Sequence, residues 1–235
     1  MAGLTARARR LGRGALDLLF PPACVSCGAG GEFLCARCAG RLVPAAWPRC
    51  RRCWRPLQDA GVCSPCRAVP PPYDSLRAVF VYDHAARVLV HALKYRGMTA
   101  LAGPMASLMA RAIRGSDIEP GVIVPVPLAT MRRRTRGYNQ AGVLAAALGK
   151  ELGVPVAGRA LRRTRETAPQ ARTRDADQRL RNVAGAFEAA PEISGRRVLL
   201  LDDVTTTGAT LSACAQALGK ADSASVWALA FARED

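Results

Sequence analysis

Eight of the nine cysteines in this 235-residue chain fall between positions 24 and 66, where they form four Cys-x-x-Cys pairs. Each such turn brings two sulfur atoms close enough to share a metal ion, and two turns supply the four tetrahedral thiolates that Zn²⁺ prefers. Four turns therefore predict two Zn²⁺ ions, both structural because no coordination position is left open for a substrate. The predicted ligands are Cys24, Cys27, Cys35, Cys38, Cys50, Cys53, Cys63 and Cys66.

Disulfides and an iron–sulfur cluster are the alternatives for these cysteines. We favour zinc over disulfides because nothing in the sequence signals secretion. The gaps within the two halves are seven and nine residues, against eleven between the halves. Short gaps favour sequential sites, 24/27 with 35/38 and 50/53 with 63/66, and an interleaved arrangement stays open.

Two adjacent carboxylates form a second group with chemical potential. The apolar run Val198–Leu201 predicts a buried strand, which ends in Asp202 and Asp203 before a Thr/Gly-rich turn opens a helix. Open α/β sheets bind ligands at the carboxyl ends of their strands, and a helix N-terminus suits a phosphate. Carboxylates would repel that phosphate unless they bind sugar hydroxyls or organise Mg²⁺. The combination predicts a ribose phosphate ligand.

The elements that must position these residues follow from the apolar pattern. Strands are predicted over LRAVFVYD, GVIVPVPL, RRVLLLDD and SVWALAFA, and helices over HAARVLVHALKYRG, LAGPMASLMARAIRG, GYNQAGVLAAALGKELG and TTGATLSACAQALGKA. Strands that are apolar throughout and alternate with helices predict a parallel α/β sheet.

Three segments are predicted along the chain. Residues 1–20 form a basic arm or helix, residues 21–72 a double zinc ribbon, and residues 73–235 the α/β domain. The run RAVPPPY, residues 67–73, contains three consecutive prolines. Such a run predicts a stiff extended linker between the ribbons and the sheet.

The formal net charge of +16 is concentrated in two blocks. Residues 1–72 carry 11 Arg and three acidic residues, and residues 129–182 carry 13 basic and four acidic residues. This balance favours polyanionic partners such as nucleic acid or phosphates, and a solvated basic surface is the plain alternative. Eight thiolates with two Zn²⁺ add about −4 to the first block, which weakens the case for a nucleic-acid clamp there.

The sequence argues against a membrane span, a secretory signal and, because of Asp17 and the cysteines that follow closely, an organellar transit peptide. No apolar stretch approaches the roughly 20 residues of a membrane span. Residues 1–20 are rich in Arg and lack the apolar region of a secretory signal. We therefore expect a cytoplasmic protein without membrane insertion.

The segment from Val198 to Thr210 resembles the phosphoribosyl pyrophosphate (PRPP) motif of type I phosphoribosyltransferases. The resemblance implies that Asp202 and Asp203 are catalytic residues on the ribose hydroxyls, with Mg²⁺ accompanying PRPP. The implied 5-phosphate ligands are Thr206, Thr207, Gly208, Ala209 and Thr210. One position departs from the family pattern, because Thr205 stands where an aliphatic residue is usual.

Further segments narrow this resemblance to one family. The ComF family of competence-associated proteins is resembled by ALDLLFPPACVSCG, HALKYRG, VPVPL, RGYNQ and residues 164–187. RGYNQ, the arrangement of Gln170, Asn182 and Phe187, and DDVTTTGAT occur in the order of that family. The chain resembles that family from about residue 14 to its last residue. The implied fold is a small double zinc-ribbon module followed by a parallel-sheet type I phosphoribosyltransferase-like domain.

The resemblance also implies ligands for the pyrophosphate group. The loop after VPVP approaches pyrophosphate in the transferase fold, and residues 162–182 correspond to a long loop that closes over the site. The implied residues are Lys94, Arg132, Arg134, Arg136 and Gln170. The alternatives are solvation for the arginines and, for Lys94, a favourable charge at a helix C-terminus.

Two functions are predicted on this basis. In the first, the protein transfers phosphoribose from Mg·PRPP to an unidentified acceptor and is linked to DNA uptake. In the second, it is a non-catalytic PRPP- or nucleotide-binding module that engages single-stranded DNA and a helicase-like competence partner. A structural protein whose sites are relics is the least favoured, because the DD and TTGAT segments are intact.

Overall fold

The centre of the molecule is a four-stranded sheet in which every neighbouring pair is parallel. The structure is a computed structural model, and it describes residues 21–165 and 183–235. The sheet strands are β1 (Ser75–Val81), β2 (Val122–Pro125), β5 (Arg197–Thr205) and β6 (Ser225–Arg233). Their order is β1-β6-β5-β2, so β5 lies inside the sheet with its carboxyl end between two neighbours.

Helices and a small hairpin surround this sheet. The helices are α1 (Ala36–Ala39), α2 (Ser64–Ala68), α3 (His84–Tyr95), α4 (Ala102–Ile113), α5 (Thr130–Arg136), α6 (Gln140–Leu152) and α7 (Ala209–Lys220), with 3-10 turns at Thr99–Leu101 and Pro191–Ile193. The antiparallel hairpin pairs β3 (Leu161–Arg163) with β4 (Phe187–Ala189). None of the helices in the described residues is long and apolar enough to cross a membrane.

Burial on both faces explains why the sheet strands are apolar throughout. Leu199 and Leu201 point into a core shared with α3, α4 and α6. Val198 and Leu200 point to the opposite face, where α7 packs. The predicted parallel α/β sheet is therefore confirmed, together with its four strands and the helices between them.

A hairpin and one helix of the α/β domain were not predicted from the sequence, and neither were the short helices α1 and α2 of the ribbon region. The β3–β4 hairpin consists of three-residue strands, LRR and FEA, which are too short to show a period. Helix α5, with the sequence TMRRRTR, has no buried residue and hence no apolar face. Residues 1–20 and 166–182, which include the predicted N-terminal arm and most of the predicted closing loop, lie outside the described residues.

The ribbon region packs directly on the sheet. Its segment Val43–Ala45 runs along the outer edge of β1, where Ala45 N–H donates to Val79 O at 2.9 Å and Val81 N–H donates to Val43 O at 2.9 Å. An uncovered edge strand would offer free backbone groups to other chains. The segment between the two cysteine clusters therefore protects the edge of the sheet.

Candidate active site and metal centres

The eight clustered cysteines form two separate groups of four. In each group, Cys24/27/35/38 and Cys50/53/63/66, the sulfur atoms all lie within 4.8 Å of one another. The sites are therefore sequential, and the interleaved arrangement is excluded. All nine cysteines have free thiols, so the disulfide alternative has no support.

The donor set of both groups fits Zn²⁺. Burial raises the pKa of the Cys50 thiol, but the backbone N–H groups of Cys53 and Arg52 in its own knuckle and of Cys63 in the other knuckle outweigh it and lower the pKa to about 6. The Cys63 N–H lies 3.3 Å from Cys50 Sγ. Amide groups that favour the thiolate are what a metal knuckle requires.

The paired carboxylates lie at the carboxyl end of β5, as predicted. Asp203 is 2% exposed, and its Oδ2 lies 2.6 Å from Nζ of Lys94, at the end of α3. Asp202 is half-buried, and its Oδ1 accepts a hydrogen bond of 2.9 Å from the Asp203 N–H. The two carboxylates therefore share one end of the strand but have different partners.

The surroundings of the two carboxylates shift their pKa values in opposite directions. Burial and the neighbouring Asp203 charge raise the pKa of Asp202 well above its usual value. Burial works against the charged form of Asp203 as well, but the Lys94 ammonium outweighs it and lowers that pKa. Asp203 is a paired anion, whereas Asp202, which lines the cavity, has no ion pair with any residue that the structure describes.

A cavity of about 180 Å³ opens beside this pair. Its lining residues are Lys94, Val126, Pro127, Leu128, Ala129, Arg132, Gln140, Arg163, Asp202, Asp203, Val204 and Thr210. A second cavity of about 180 Å³ shares Lys94, Asp202, Val204 and Thr210 with it and continues along the loop to Thr205, Thr206, Gly208, Ala209 and Leu211. Carboxylates, loop and cations thus line two adjoining cavities.

The loop after β5 has the predicted turn-to-helix geometry. Gly208 has φ +80°, a left-handed conformation that favours glycine, and it is followed by the first residue of α7. The Ala209 N–H lies 3.3 Å from Thr207 Oγ1. Thr207 itself faces a different cavity, on the side of the loop away from Asp202.

The predicted cationic residues do not all reach the site. Lys94 and Arg132 line the cavity. Arg134 is exposed on α5 and is not among the lining residues. Arg136 donates a hydrogen bond to Gln140 Oε1 rather than lining the cavity. Gln170 lies outside the described residues.

The RGYNQ segment joins α5 to α6 and fixes the wall of the cavity. Asn139 caps α6 by accepting from Ala141 N–H at 3.1 Å, and its Nδ2 donates to Val126 O at 2.9 Å. Tyr138 donates its hydroxyl proton to Leu93 O, one residue before Lys94. The segment therefore ties together the ends of β2, α3 and α6.

Two residues of the cavity were missed as candidate ligands. Gln140 is 7% exposed, and its Nε2 lies 3.4 Å from Asp203 Oδ1. Arg163 comes from β3 and packs over the Phe187 ring at 5.4 Å. Each belonged to a segment already singled out, RGYNQ and the second basic block. Only the folded chain brings them to the carboxylates.

Comparison with known proteins identifies the family. A double zinc ribbon domain matches residues 15–67, and a phosphoribosyl transferase domain matches residues 103–234. The DNA utilization protein YhgH of Salmonella typhimurium is 34% identical over 205 residues, which cover 83% of this chain and 89% of the relative. Competence protein F of Haemophilus influenzae is 32% identical over 84% of this chain and 90% of its own length. The chain belongs to the ComF family.

The ComF-family architecture confirms the predicted order of a double zinc ribbon and a phosphoribosyltransferase domain. Among solved structures, the ComF-family chain is similar to the glutamine PRPP amidotransferase of B. subtilis complexed with ADP and GMP. That similarity has a TM-score of 0.41 and 17% identity, and it covers 60% of this chain and 30% of the other.

Proposed function

We propose that this ComF-family protein binds PRPP with Mg²⁺ and transfers its phosphoribosyl group to an acceptor. The observation that carries the proposal is the convergence of the Asp202–Asp203 pair, the Thr/Gly loop and three cationic side chains on two adjoining cavities. A ribose with phosphate groups at both ends requires a phosphate-binding loop at one end, hydrogen-bond acceptors for the sugar hydroxyls in the middle, and cations at the other end. We also infer that each cysteine cluster holds one structural Zn²⁺.

The residues divide the ligand between them. The carboxylate of Asp202 accepts hydrogen bonds from ribose hydroxyls, while Asp203 stays paired with Lys94 at 2.6 Å. The 5-phosphate binds on the loop from Thr206 to Thr210, where the N-terminal N–H groups of α7 and the hydroxyls of Thr206 and Thr210, which line the inner cavity, supply donors. Arg132 and Arg163 lie where positive charge is needed for pyrophosphate.

The reaction breaks the bond between ribose C1 and the pyrophosphate oxygen, which leaves with the bonding electron pair. A nucleophilic atom of the acceptor forms the new bond to C1. The Mg²⁺ that accompanies PRPP would neutralise part of the pyrophosphate charge. The protein contributes position and electrostatic stabilisation, and the described site offers cations for the leaving group and carboxylates for the sugar.

Substitution of Asp203 tests this assignment. Asp203→Asn keeps the shape of the side chain but removes the charge that holds Lys94, so we expect Mg·PRPP affinity to fall at least about tenfold. Asp222→Asn, in the exposed turn after α7, is the matched control and should bind as the unmodified protein does. Unchanged affinity of a folded Asp203→Asn variant by calorimetric titration would remove the site assignment.

A second candidate function is binding of single-stranded DNA, without turnover and beside a helicase-like partner. Two observations favour it: Arg132, Arg133 and Arg134 are all exposed on α5, and relatives carry the names DNA utilization protein and competence protein. Phosphate contacts make affinity fall steeply as salt rises. A shallow salt dependence would contradict this candidate.

The arginines of α5 separate the two candidates. Arg132 lines the cavity and Arg134 does not. If the arginines serve PRPP, Arg132→Ala weakens Mg·PRPP binding and Arg134→Ala leaves it unchanged. If they serve DNA, both variants weaken DNA binding and reduce its salt slope by about one each.

A further inference from the structure

The second ribbon borders the phosphate loop. A cavity of about 570 Å³ is lined by Arg55 and Pro56 of the ribbon, by Thr206 and Thr207 of the loop, and by residues 233–235. Thr206 also lines the inner cavity beside Asp202. The loop therefore lies between two cavities, one beside the carboxylates and the other beside the ribbon.

Tyr73 connects the ribbon with the far end of this loop. It is 4% exposed, and its hydroxyl oxygen lies 3.2 Å from the point that a Cβ on Gly208 would occupy. Burial raises the pKa of Tyr73, and the nearby thiolate charges of Cys53 and Cys66 raise it further. The hydroxyl group of Tyr73 therefore packs against the residue that precedes α7, and the ring is close enough to the second cluster to sense its charge.

Arg233 connects the same ribbon with the near end of the loop. It is 4% exposed, and its guanidinium donates to the carbonyl oxygen of Cys53 at 2.9 Å. The next residue, Glu234, donates its N–H to Thr205 O at 2.9 Å. The end of β6 therefore makes two contacts: the buried guanidinium of Arg233 binds the ribbon, and the backbone of Glu234 binds the start of the phosphate loop.

A bidentate ion pair anchors this arrangement. Arg49, 4% exposed, donates to both carboxylate oxygens of Asp235 at 2.8 and 2.6 Å. The same guanidinium donates to Trp54 O at 3.0 Å, within the ribbon. The first cluster is placed differently, because Cys24 and Cys38 pack into the core with α3 and α4.

We propose that the second zinc centre positions the phosphate loop, with Tyr73 and Arg233 as the positioning residues. The inference rests on the proposed function, since it takes the loop to be the phosphate site. Coupling between two sites is reciprocal, so a phosphate ligand on the loop must change the surroundings of the second metal ion. The first metal ion should not respond.

The two metal centres can be observed separately by ¹¹³Cd NMR on the full chain with cadmium in place of zinc. Correlation with the cysteine β-protons assigns one resonance to each cluster. On addition of ribose 5-phosphate, we expect the resonance of the Cys50/53/63/66 cluster to shift and that of the Cys24/27/35/38 cluster to stay. A shift confined to the first cluster, or equal shifts of both, would overturn the inference.

Tyr73→Phe tests the contact itself, because it removes only the hydroxyl group beside Gly208. We expect ribose 5-phosphate affinity to fall about three- to tenfold, with two metal ions still bound and the cadmium response of the second cluster reduced. Tyr95→Phe, at an exposed tyrosine, is the matched control. Unchanged affinity and an unchanged cadmium response in Tyr73→Phe would overturn the role of Tyr73.

Binding by the unmodified protein separates this inference from the proposed function. If calorimetry finds no binding of ribose 5-phosphate or Mg·PRPP, the proposed function fails and the inference fails with it. If either ligand binds while the second resonance does not move, the proposed function stands and only the coupling is wrong.

Discussion

Asp203 is contacted by one side chain from α3 and one from α6, and the contact from α6 depends on Arg136. Lys94 binds one carboxylate oxygen at 2.6 Å, and the Gln140 amide nitrogen lies 3.4 Å from the other. Arg136 donates to Gln140 Oε1, which leaves the amide N–H₂ group directed at Asp203. The orientation of Gln140 is therefore set by Arg136.

A double-mutant cycle on Arg136 and Gln140 tests this relay. We expect Arg136→Ala and Gln140→Ala each to weaken Mg·PRPP binding about three- to tenfold. The double variant should bind about as weakly as the worse single variant, because the two residues act through one contact. Additive losses measured by calorimetry would instead mean that Arg136 contacts the ligand independently.

At the scale of elements, helix α6 packs so closely against the segment that follows it that position 149 of the helix requires glycine. A Cβ on Gly149 would lie 2.7 Å from both Val154 O and Val156 Cγ2. The segment after α6 also bonds back to the helix, since Val154 N–H donates to Gly149 O at 3.0 Å. This contact fixes how α6, which carries Gln140, lies beside β2.

Two glycines in helices should respond to alanine in opposite ways. Gly149→Ala should lower the free energy of unfolding by about 1–3 kcal/mol, because the overpacking exceeds the gain in helix propensity. Gly219→Ala, at an exposed position of α7 with no atom within 4 Å of its Cβ, should raise it by up to about 1 kcal/mol. Urea titration measures both, and a stabilised Gly149→Ala would contradict the close contact.

The sequence predicted most of the elements and only part of the site. Long apolar strands and periodic helices such as α7 can be predicted from the sequence, because burial imposes a regular pattern of apolar residues on them. The three-residue strand β3 shows no period, so its Arg163 could not be placed beside Asp203. Gln140 stood in a recognised segment, but its role follows from a contact across 63 positions.

At the scale of the whole molecule, the two cysteine clusters support opposite faces of the sheet. Leu34 and Leu42 of the first ribbon pack with α3 and α4. Trp54 of the second ribbon, 7% exposed, packs on the face that carries α7. The ribbons are therefore part of the core that positions the site and do not form a module joined only by a linker.

Removal of metal should accordingly affect the stability of the whole chain. We expect two zinc ions per chain by metal analysis, one for each cluster, and a lower melting temperature after chelation because the ribbons cover β1 and pack into both cores. Cys27→Ser should reduce the zinc content to about one. A zinc content near zero in a folded, unchelated sample would overturn the metal assignment.

The most direct test of the account is calorimetric titration of the zinc-loaded protein with PRPP, with and without Mg²⁺. The arrangement of Asp202, the loop and the cations predicts binding that strengthens when Mg²⁺ is present. Pyrophosphate release would then identify the acceptor. A folded, zinc-loaded sample that binds no PRPP under either condition would contradict the central claim that this sheet edge is a phosphoribosyl site.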